Sequence, residues 1–522
     1  MGAGIAQLAC RSGARTLLHD PVPDALALGG ERIAAELDKL VARGRLDRAA
    51  AQAARERLAL VGDIGDLADC ELVIEAAPER LELKHDLFAA LSRVVSDRCV
   101  LATNTSSLSV TAIAAAALAP ERVVGMHFFN PAPVMRLLEV VAGEDSAGWA
   151  TQRARATGEA MGKSVIEAAD GPGFLVNRCN RPFGLEALRL LGERVAEVPA
   201  IDRICRLGGG FRMGPFELMD LVGVDVGFDV SRSFYEQSFG EPRWRPSPIT
   251  ARYVAAGRLG RKSARGFYDY RDGPHRPEDA DTPPRGEYAQ GSRGELIVAG
   301  ASTLAGELRE LASAAGWKVH ESAAQSFSPF LELDCDPRAP RRADAAAAPA
   351  ARAVLCQSGS LAALCHDGSG AGADGCVGFH ALAPLEHVRL VELTRVASSS
   401  PLAGERAQAF FASLGWEHEW VGDAPGLVLG RIVCQVINES AFALGEGIGS
   451  ARDVDTGMVL GLNHPRGPLA WADAIGLDNV LATLDGLWAE SREERYRPAP
   501  ALRAHVLAGR LGARTGGGFF DY

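Results

Sequence analysis

Two distant stretches of this chain follow one pattern in a single register. GMHFFNPAPVMRLLEV from Gly125 and GFHALAPLEHVRLVEL from Gly378 share Gly, His, Pro, Arg, Leu and Glu at one constant offset. The same offset pairs Gly173 with Gly426, Arg178 with Arg431 and Glu186 with Glu439. It also pairs Asp202 with Asp455, Pro215 with Pro468 and Asp225 with Asp478. One residue then drops out, and LGRKSARGFYDY (259–270) matches LGARTGGGFFDY (511–522). Chance does not hold one register over so many positions, so the pattern reads as a tandem duplication. That is the strongest constraint on the fold: both copies must be built on one plan.

The plan is legible in the first copy. CELVIEA (70–76), RCVLATN (98–104) and ERVVGMHF (121–128) are short apolar runs, as buried parallel strands require. Residues 79–95 between the first two have helical spacing, which makes a strand–helix–strand unit. After GPGF (171–174) the texture becomes helical with Gly-Pro breaks. Each copy is therefore expected to be an α/β Rossmann-type domain followed by an all-α domain. The expected boundaries are 1–170 and 171–270 in the first copy, a polar linker at 271–294, then 295–423 and 424–522 in the second. A further low-complexity loop is expected at 337–352. The second α/β domain is reduced, because Glu321 to Val354 replaces the much longer stretch from His19 to Val100.

With 522 residues the chain is too long for a single core. Its net charge of −11, with both signs dispersed, gives no basic footprint for nucleic acid. No apolar run is long enough for a bilayer span, and no signal peptide pattern is present. The ten cysteines form no CxxC pairs, which argues against zinc and for a reducing cytoplasm.

The opening residues, MGAGIAQLACRSGARTLLHDP, read as a helix, then a strand ending in an acid. Their match in the second copy, LAGELRELASAAGWKVHE (304–321), is preceded by ELIVAGAST (295–303), a strand and turn. By that comparison the first copy lacks its first strand and most of a phosphate-binding turn. Met1 is then expected to be an internal methionine of that turn. In a dinucleotide-binding unit the first strand runs into a glycine turn, and the pyrophosphate sits on the helix N-terminus. Gly2 is the candidate remaining turn glycine, and Gly4 lets the helix pack close to the sheet. Asp20, ending the next strand, is placed to bind the adenosine ribose, which favours NAD over NADP.

Four further elements converge on hydride-transfer chemistry. Ser106 lies in NTSS after a strand, His127 ends another strand, Glu139 lies in the next, and Asn177 follows GPGF at a helix start. Ligands of open parallel sheets bind outside the carboxyl ends of strands, where Ser106 and His127 can meet. Oxidising an alcohol requires a base for the hydroxyl proton, and a His oriented by a carboxylate suits that near neutral pH. Ser and Asn are neutral groups that can hold substrate oxygens. Singly, each has a bland reading: a packed His beside Phe-Phe, a Ser-rich turn, a capping Asn. Their combination is what is specific.

The stretches MGAGIAQ, LVIEAAPERLELK, NTSSLSVTAIA, RVVGMHFFNPAPVMRLLEVV, DGPGFLVNR, MGPFELMDLVG and GRKSARGFYDY resemble the L-3-hydroxyacyl-CoA dehydrogenase family over residues 1–270. The second copy resembles the tandem helical half of longer members, such as those of phenylacetate degradation acting on 3-hydroxyadipyl-CoA. The resemblance implies NAD-dependent oxidation of L-3-hydroxyacyl-CoA to 3-ketoacyl-CoA, in fatty acid or phenylacetate-type catabolism. It implies His127 as general base, Glu139 as its partner, and Ser106 and Asn177 as substrate-positioning groups. It places Asp20, Glu79, Lys84 and Lys262 at NAD-contacting positions, and Ser106 beside the cofactor. At the family's coenzyme A contacts stand Glu36 and Arg43, of which only Arg43 carries a charge suited to phosphate. The second copy keeps His380 and Glu392, but Gly430 stands for Asn177 and CQSGS (356–360) for NTSS, so it reads as structural. The helical domains are expected to pack on one another within the chain as a pseudo-dimer, and a further homo-oligomer remains open. Two rival readings are a truncated, non-catalytic binding relative and a dehydrogenase of sugar acids.

Overall fold

Helix Gly2–Arg11 has two apolar faces, and both are covered. Ile5 and Leu8 pack with Val100, Ala102, Val124, Met126 and Phe128. Ala6 and Cys10 pack with Ile33, Leu37 and Ala54 of the helices Pro23–Ala42 and Arg48–Arg57. One short helix thus joins a sheet to a helical hairpin. The structure is a computed structural model and describes residues 1–279, 291–322, 328–336, 351–365 and 376–522. Most of the expected linker and nearly all of the 337–352 loop lie outside the described residues. Two compact units form: Met1–Arg178 with Glu446–Leu462, and Cys179–Gly445 with Asn463–Tyr522.

The first unit contains β1 (Thr16–His19), β2 (Leu58–Val61), β3 (Leu72–Glu75), β4 (Val100–Thr103), β5 (Val123–Phe128), β6 (Leu137–Ala142) and β7 (Ser164–Ala169). β1 and β2 form a parallel pair; β3-β4-β5-β6-β7 form a second sheet, parallel except for the antiparallel pair β5–β6. The three expected strands and the helix between the first two, Leu81–Val94, are present. β4 and β5 are buried throughout, which is why they read as unbroken apolar runs. The sequence reading contains no strand at 58–61. ARERLALV continues the helical texture of Arg48–Arg57, and pairing with β1 is what makes its end extended.

The second unit contains β8 (Glu295–Ala299), β9 (Lys318–His320), β10 (Leu331–Asp334), β11 (Arg352–Leu355), β12 (Cys376–His380), β13 (Leu390–Thr394) and β14 (Glu417–Val421). They form one sheet in the order β9-β8-β10-β11-β12-β13-β14. β8, the strand expected in ELIVAGAST, joins β9 to β10. In the first unit β1 and β3 belong to separate sheets, with no strand between them among the described residues.

The helices of the second unit explain the repeated Gly-Phe-aromatic-Asp-Tyr signature. Asp220, on helix Pro215–Val222, accepts the amides of Phe267 and Tyr268, each at 2.9 Å, and the Tyr270 hydroxyl at 3.1 Å. Asp473, on helix Pro468–Ile475, accepts Phe519 and Phe520 at 2.9 Å and the Tyr522 hydroxyl at 3.3 Å. A Cβ on Gly266 or Gly518 would lie 2.0 or 1.9 Å from those carboxylates, so only glycine allows the approach. Helix Leu429–Gly445, almost wholly buried, packs on helix Arg181–Gly192, where Arg431 binds Glu186 at 2.5 Å and Glu193 at 2.6 Å.

Two segments are arranged in a way the sequence reading does not anticipate. Helix Ala451–Leu462, from the second copy, belongs to the first unit: the Ile448 carbonyl accepts the Ala169 amide at 2.8 Å, and Arg178 pairs with Glu446 at 2.7 Å. In the second unit the first copy's segment 195–208 lies on the β13–β14 side. The Val195 carbonyl accepts the Gly422 amide at 2.6 Å and the Leu207 carbonyl the Arg389 amide at 2.9 Å, while Arg203 pairs with Glu417 and Glu419.

Candidate active site

The antiparallel register of β5 and β6 sets His127 directly opposite Glu139. Cross-strand neighbours project to the same face, and His127 Nδ1 lies 2.6 Å from Glu139 Oε2. Glu139 is fully buried and His127 is 6% exposed. The ring lies 4.6 Å, centroid to centroid, from Phe129 and 5.9 Å from Phe174. With its Nδ1–H donated to the carboxylate, the imidazole presents the Nε2 lone pair as a base.

The same carboxylate reaches the turn before Asn177. Glu139 Oε1 accepts the amides of Leu175 at 3.2 Å and Val176 at 3.0 Å. Gly173 and Phe174 hold φ of 72° and 52°, which turns the chain sharply into the short helix Val176–Cys179 bearing Asn177. On the other side Asn104 Oδ1 accepts the Phe128 amide at 2.9 Å, tying the NTSS turn to the end of β5. Ser106 is exposed at that turn, and Glu79 Oε1 accepts its amide at 2.9 Å, the Thr105 hydroxyl at 2.6 Å and the Ser107 amide at 3.0 Å. Burial works against the Glu79 charge, yet these donors and Lys84 hold its carboxyl below the ordinary range. Ser106, His127, Glu139 and Asn177 are thus linked to one framework in the first unit.

Lys84 is 1% exposed and places its ammonium 2.7 Å from Glu75 and 3.4 Å from Glu79. Asp20 follows β1, and its Oδ1 accepts the Val22 amide at 2.9 Å. Arg43 is exposed at the end of helix Pro23–Ala42, and Glu36 on that helix pairs with Lys39 at 2.5 Å. Lys262, in the second unit, pairs with Asp225 at 2.5 Å. Several supports escape the sequence reading. Asp170 Oδ2 accepts Ser109 Oγ at 2.6 Å and the Thr111 amide at 2.8 Å. Lys163 donates to the carbonyls of Ala132 at 2.5 Å and Met135 at 2.6 Å, fixing the loop after HFFNP. Only Asn104 carried a signal, as the first residue of NTSS; Asp170 and Lys163 act through long-range contacts with no local pattern.

The carboxyl edge of β3, β4 and β5 fits a dinucleotide at the residues present. Gly2 begins the helix, and a Cβ there would face Ala76 Cβ at 3.8 Å; at Gly4 a Cβ would meet Pro133 Cδ at 3.0 Å. Small residues therefore keep the helix N-terminus close to the strand ends, where a pyrophosphate is favoured. In the second copy the register also places His380 opposite Glu392. There Nδ1 is 3.8 Å from the carboxylate, and neither ring nitrogen has a hydrogen-bond partner among the described residues. A Cβ on Gly430 would lie 2.4 Å from the His380 ring, so that ring fills the space beside residue 430.

Comparison with known proteins agrees with this geometry. Residues 1–171 match the 3-hydroxyacyl-CoA dehydrogenase NAD binding domain, and residues 173–270 and 426–522 each match the 3-hydroxyacyl-CoA dehydrogenase C-terminal domain. The chain belongs to the 3-hydroxyacyl-CoA dehydrogenase family, and its cofactor is NAD. It is 35% identical to 3-hydroxyadipyl-CoA dehydrogenase of Escherichia coli K12, over 97% of this chain and 95% of that one. A crystal structure of 3-hydroxybutyryl-CoA dehydrogenase from the same species covers 97% of this chain and 96% of its own, with TM-score 0.80 and 35% identity. A probable 3-hydroxybutyryl-CoA dehydrogenase of Deinococcus radiodurans is 40% identical over 52% of this chain and 96% of its own length. Among the described residues no helix is long and apolar enough to cross a membrane.

Proposed function

We propose that the first copy oxidises L-3-hydroxyacyl-CoA to 3-ketoacyl-CoA, with His127 taking the hydroxyl proton at Nε2. The observation that carries this reading is the buried His127–Glu139 pair, joined to the turn that bears Asn177. NAD, when bound, accepts hydride from the substrate carbon. Glu139 holds the imidazole in one tautomer and stabilises its charge once protonated. Ser106 and Asn177 hold the substrate oxygens. Gly2, Gly4 and Asp20 serve the dinucleotide. Glu79 meets the cofactor with Lys84 behind it, Lys262 adds a contact, and Arg43 meets the coenzyme A phosphates. The full-length similarity to a 3-hydroxyadipyl-CoA dehydrogenase supports a short acyl chain with or without a terminal carboxylate. NADH oxidation with a panel of 3-ketoacyl-CoAs tests this. Turnover with acetoacetyl- or 3-ketoadipyl-CoA is expected; inactivity on the whole panel, with activity on a free sugar acid, would reject it.

The architecture is read further as a tandem duplication whose helical halves pack as a pseudo-dimer within one chain. Arg431 against Glu186 and Glu193 supports this. The first sheet is read as lacking its central strand, because β8 fills the equivalent place between β9 and β10. That break favours the second reading, a non-catalytic relative. NAD titration of the chain, with and without an N-terminal apolar strand and glycine turn, decides between them. Ten free thiols are consistent with a cytoplasmic location.

A further inference from the structure

The two copies use the same glutamate differently. Glu139 gives one oxygen, Oε1, to both amides of its turn, at 3.2 and 3.0 Å, and the other, Oε2, to His127 at 2.6 Å. Glu392 gives one oxygen to each amide of its turn, Val428 at 2.6 Å and Leu429 at 2.9 Å. His380 is left 3.8 Å away. The turns themselves are alike: Gly426 and Leu427 hold φ of 69° and 43°, as Gly173 and Phe174 hold 72° and 52°. A bulky residue with positive φ is disfavoured and persists where its surroundings fix it. The glutamate clamps the two amides that follow this residue, and it does so even where no asparagine follows and the histidine has let go.

We propose that Glu139 is a positioning residue with two separable tasks: it orients His127, and through the Leu175 and Val176 amides it sets the turn that places Asn177. This rests on the reading of Asn177 as a substrate-positioning group. The clamp is the task shared by both copies, and the histidine bond is the task specific to the first.

Glu139→Gln separates the two. Its amide oxygen still accepts both turn amides, but its NH2 faces His127 Nδ1 as a donor. That drives the imidazole proton to Nε2 and disables the base. Turnover should fall by about 10²–10⁴-fold, with KM for acetoacetyl-CoA within about threefold of the parent, since ground-state binding is untouched. Glu139→Ala loses both tasks, so KM should also rise by about tenfold or more, because hydrogen bonds to a charged group are the stronger kind. Adding Asn177→Ala should raise KM further in the Gln background and little in the Ala background, the non-additivity expected of coupled groups. Glu392→Ala should lower Tm and leave KM and kcat unchanged, and a Glu139→Ala protein that fails to fold hands the test to this variant and to the Gln variant. Equal KM in the Gln and Ala variants, or an Asn177→Ala effect of the same size in both, would overturn the clamp. If Asn177→Ala leaves KM unchanged in the parent enzyme, the reading of Asn177 fails instead. If Glu392→Ala leaves Tm unchanged, the clamp is no requirement of the turn and the proposal falls.

Discussion

The first and second histidine–glutamate pairs start from the same strand register and end in different states. His127 meets its carboxylate at 2.6 Å, whereas His380 stands 3.8 Å from its own. Register alone therefore does not make a catalytic pair. The third position decides: Asn177 begins its helix with a side chain in place, while Gly430 leaves a space that the His380 ring occupies. The two sheets differ in the opposite sense. The second is continuous through β8, and the first is divided between β1 and β3. The chain thus keeps its best sheet and its best catalytic pair in different copies.

The comparison can be broken first where the copies are most alike. Asp220→Ala and Asp473→Ala each strand two buried amides, at about 1–3 kcal/mol per group. Each variant should lose about 2–6 kcal/mol in urea unfolding. A loss confined to one would show that the helical halves are not equivalent. Next comes the packed glycine. Gly430→Asn drives a Cβ to within 2.4 Å of the His380 ring, and overpacking of this kind costs about 1–3 kcal/mol. A second change, His380→Ala, should restore much of the loss. If it does not, the histidine is not what fills that space.

The smallest effect concerns Lys163. Burial, with the charge of Arg11 adding, lowers its ammonium to about 8. The unfolded chain holds that proton up to about 10.4, so between the two values the unfolded state binds more protons. The penalty is complete below pH 8 and relieved as pH rises toward 10.4, so stability from this group increases across that window. Tm against pH should rise less steeply for Lys163→Met than for the parent; parallel profiles would remove the lysine from the account.

Much of this was legible in the residues. β3, β4 and β5 are short apolar runs, and a twelve-residue spacing across a hairpin brings His127 to Glu139. β2 was not legible, because LALV carries no boundary from the helix before it. The placement of helix Ala451–Leu462 with the first unit was not legible either. Its partners include Gly457 against Val176 and Gly461 against Leu137, contacts between residues hundreds of positions apart. Nor was the Glu75–Lys84 pair, buried at the end of β3.

The central claim is that one of the two histidines does the chemistry. NADH oxidation with acetoacetyl-CoA, followed for His127→Gln and His380→Gln side by side, tests it. The account predicts a loss of about 10²–10⁴-fold for His127→Gln, with NADH binding retained, and parental turnover for His380→Gln. Normal turnover in His127→Gln, or an equal loss in both, would contradict it.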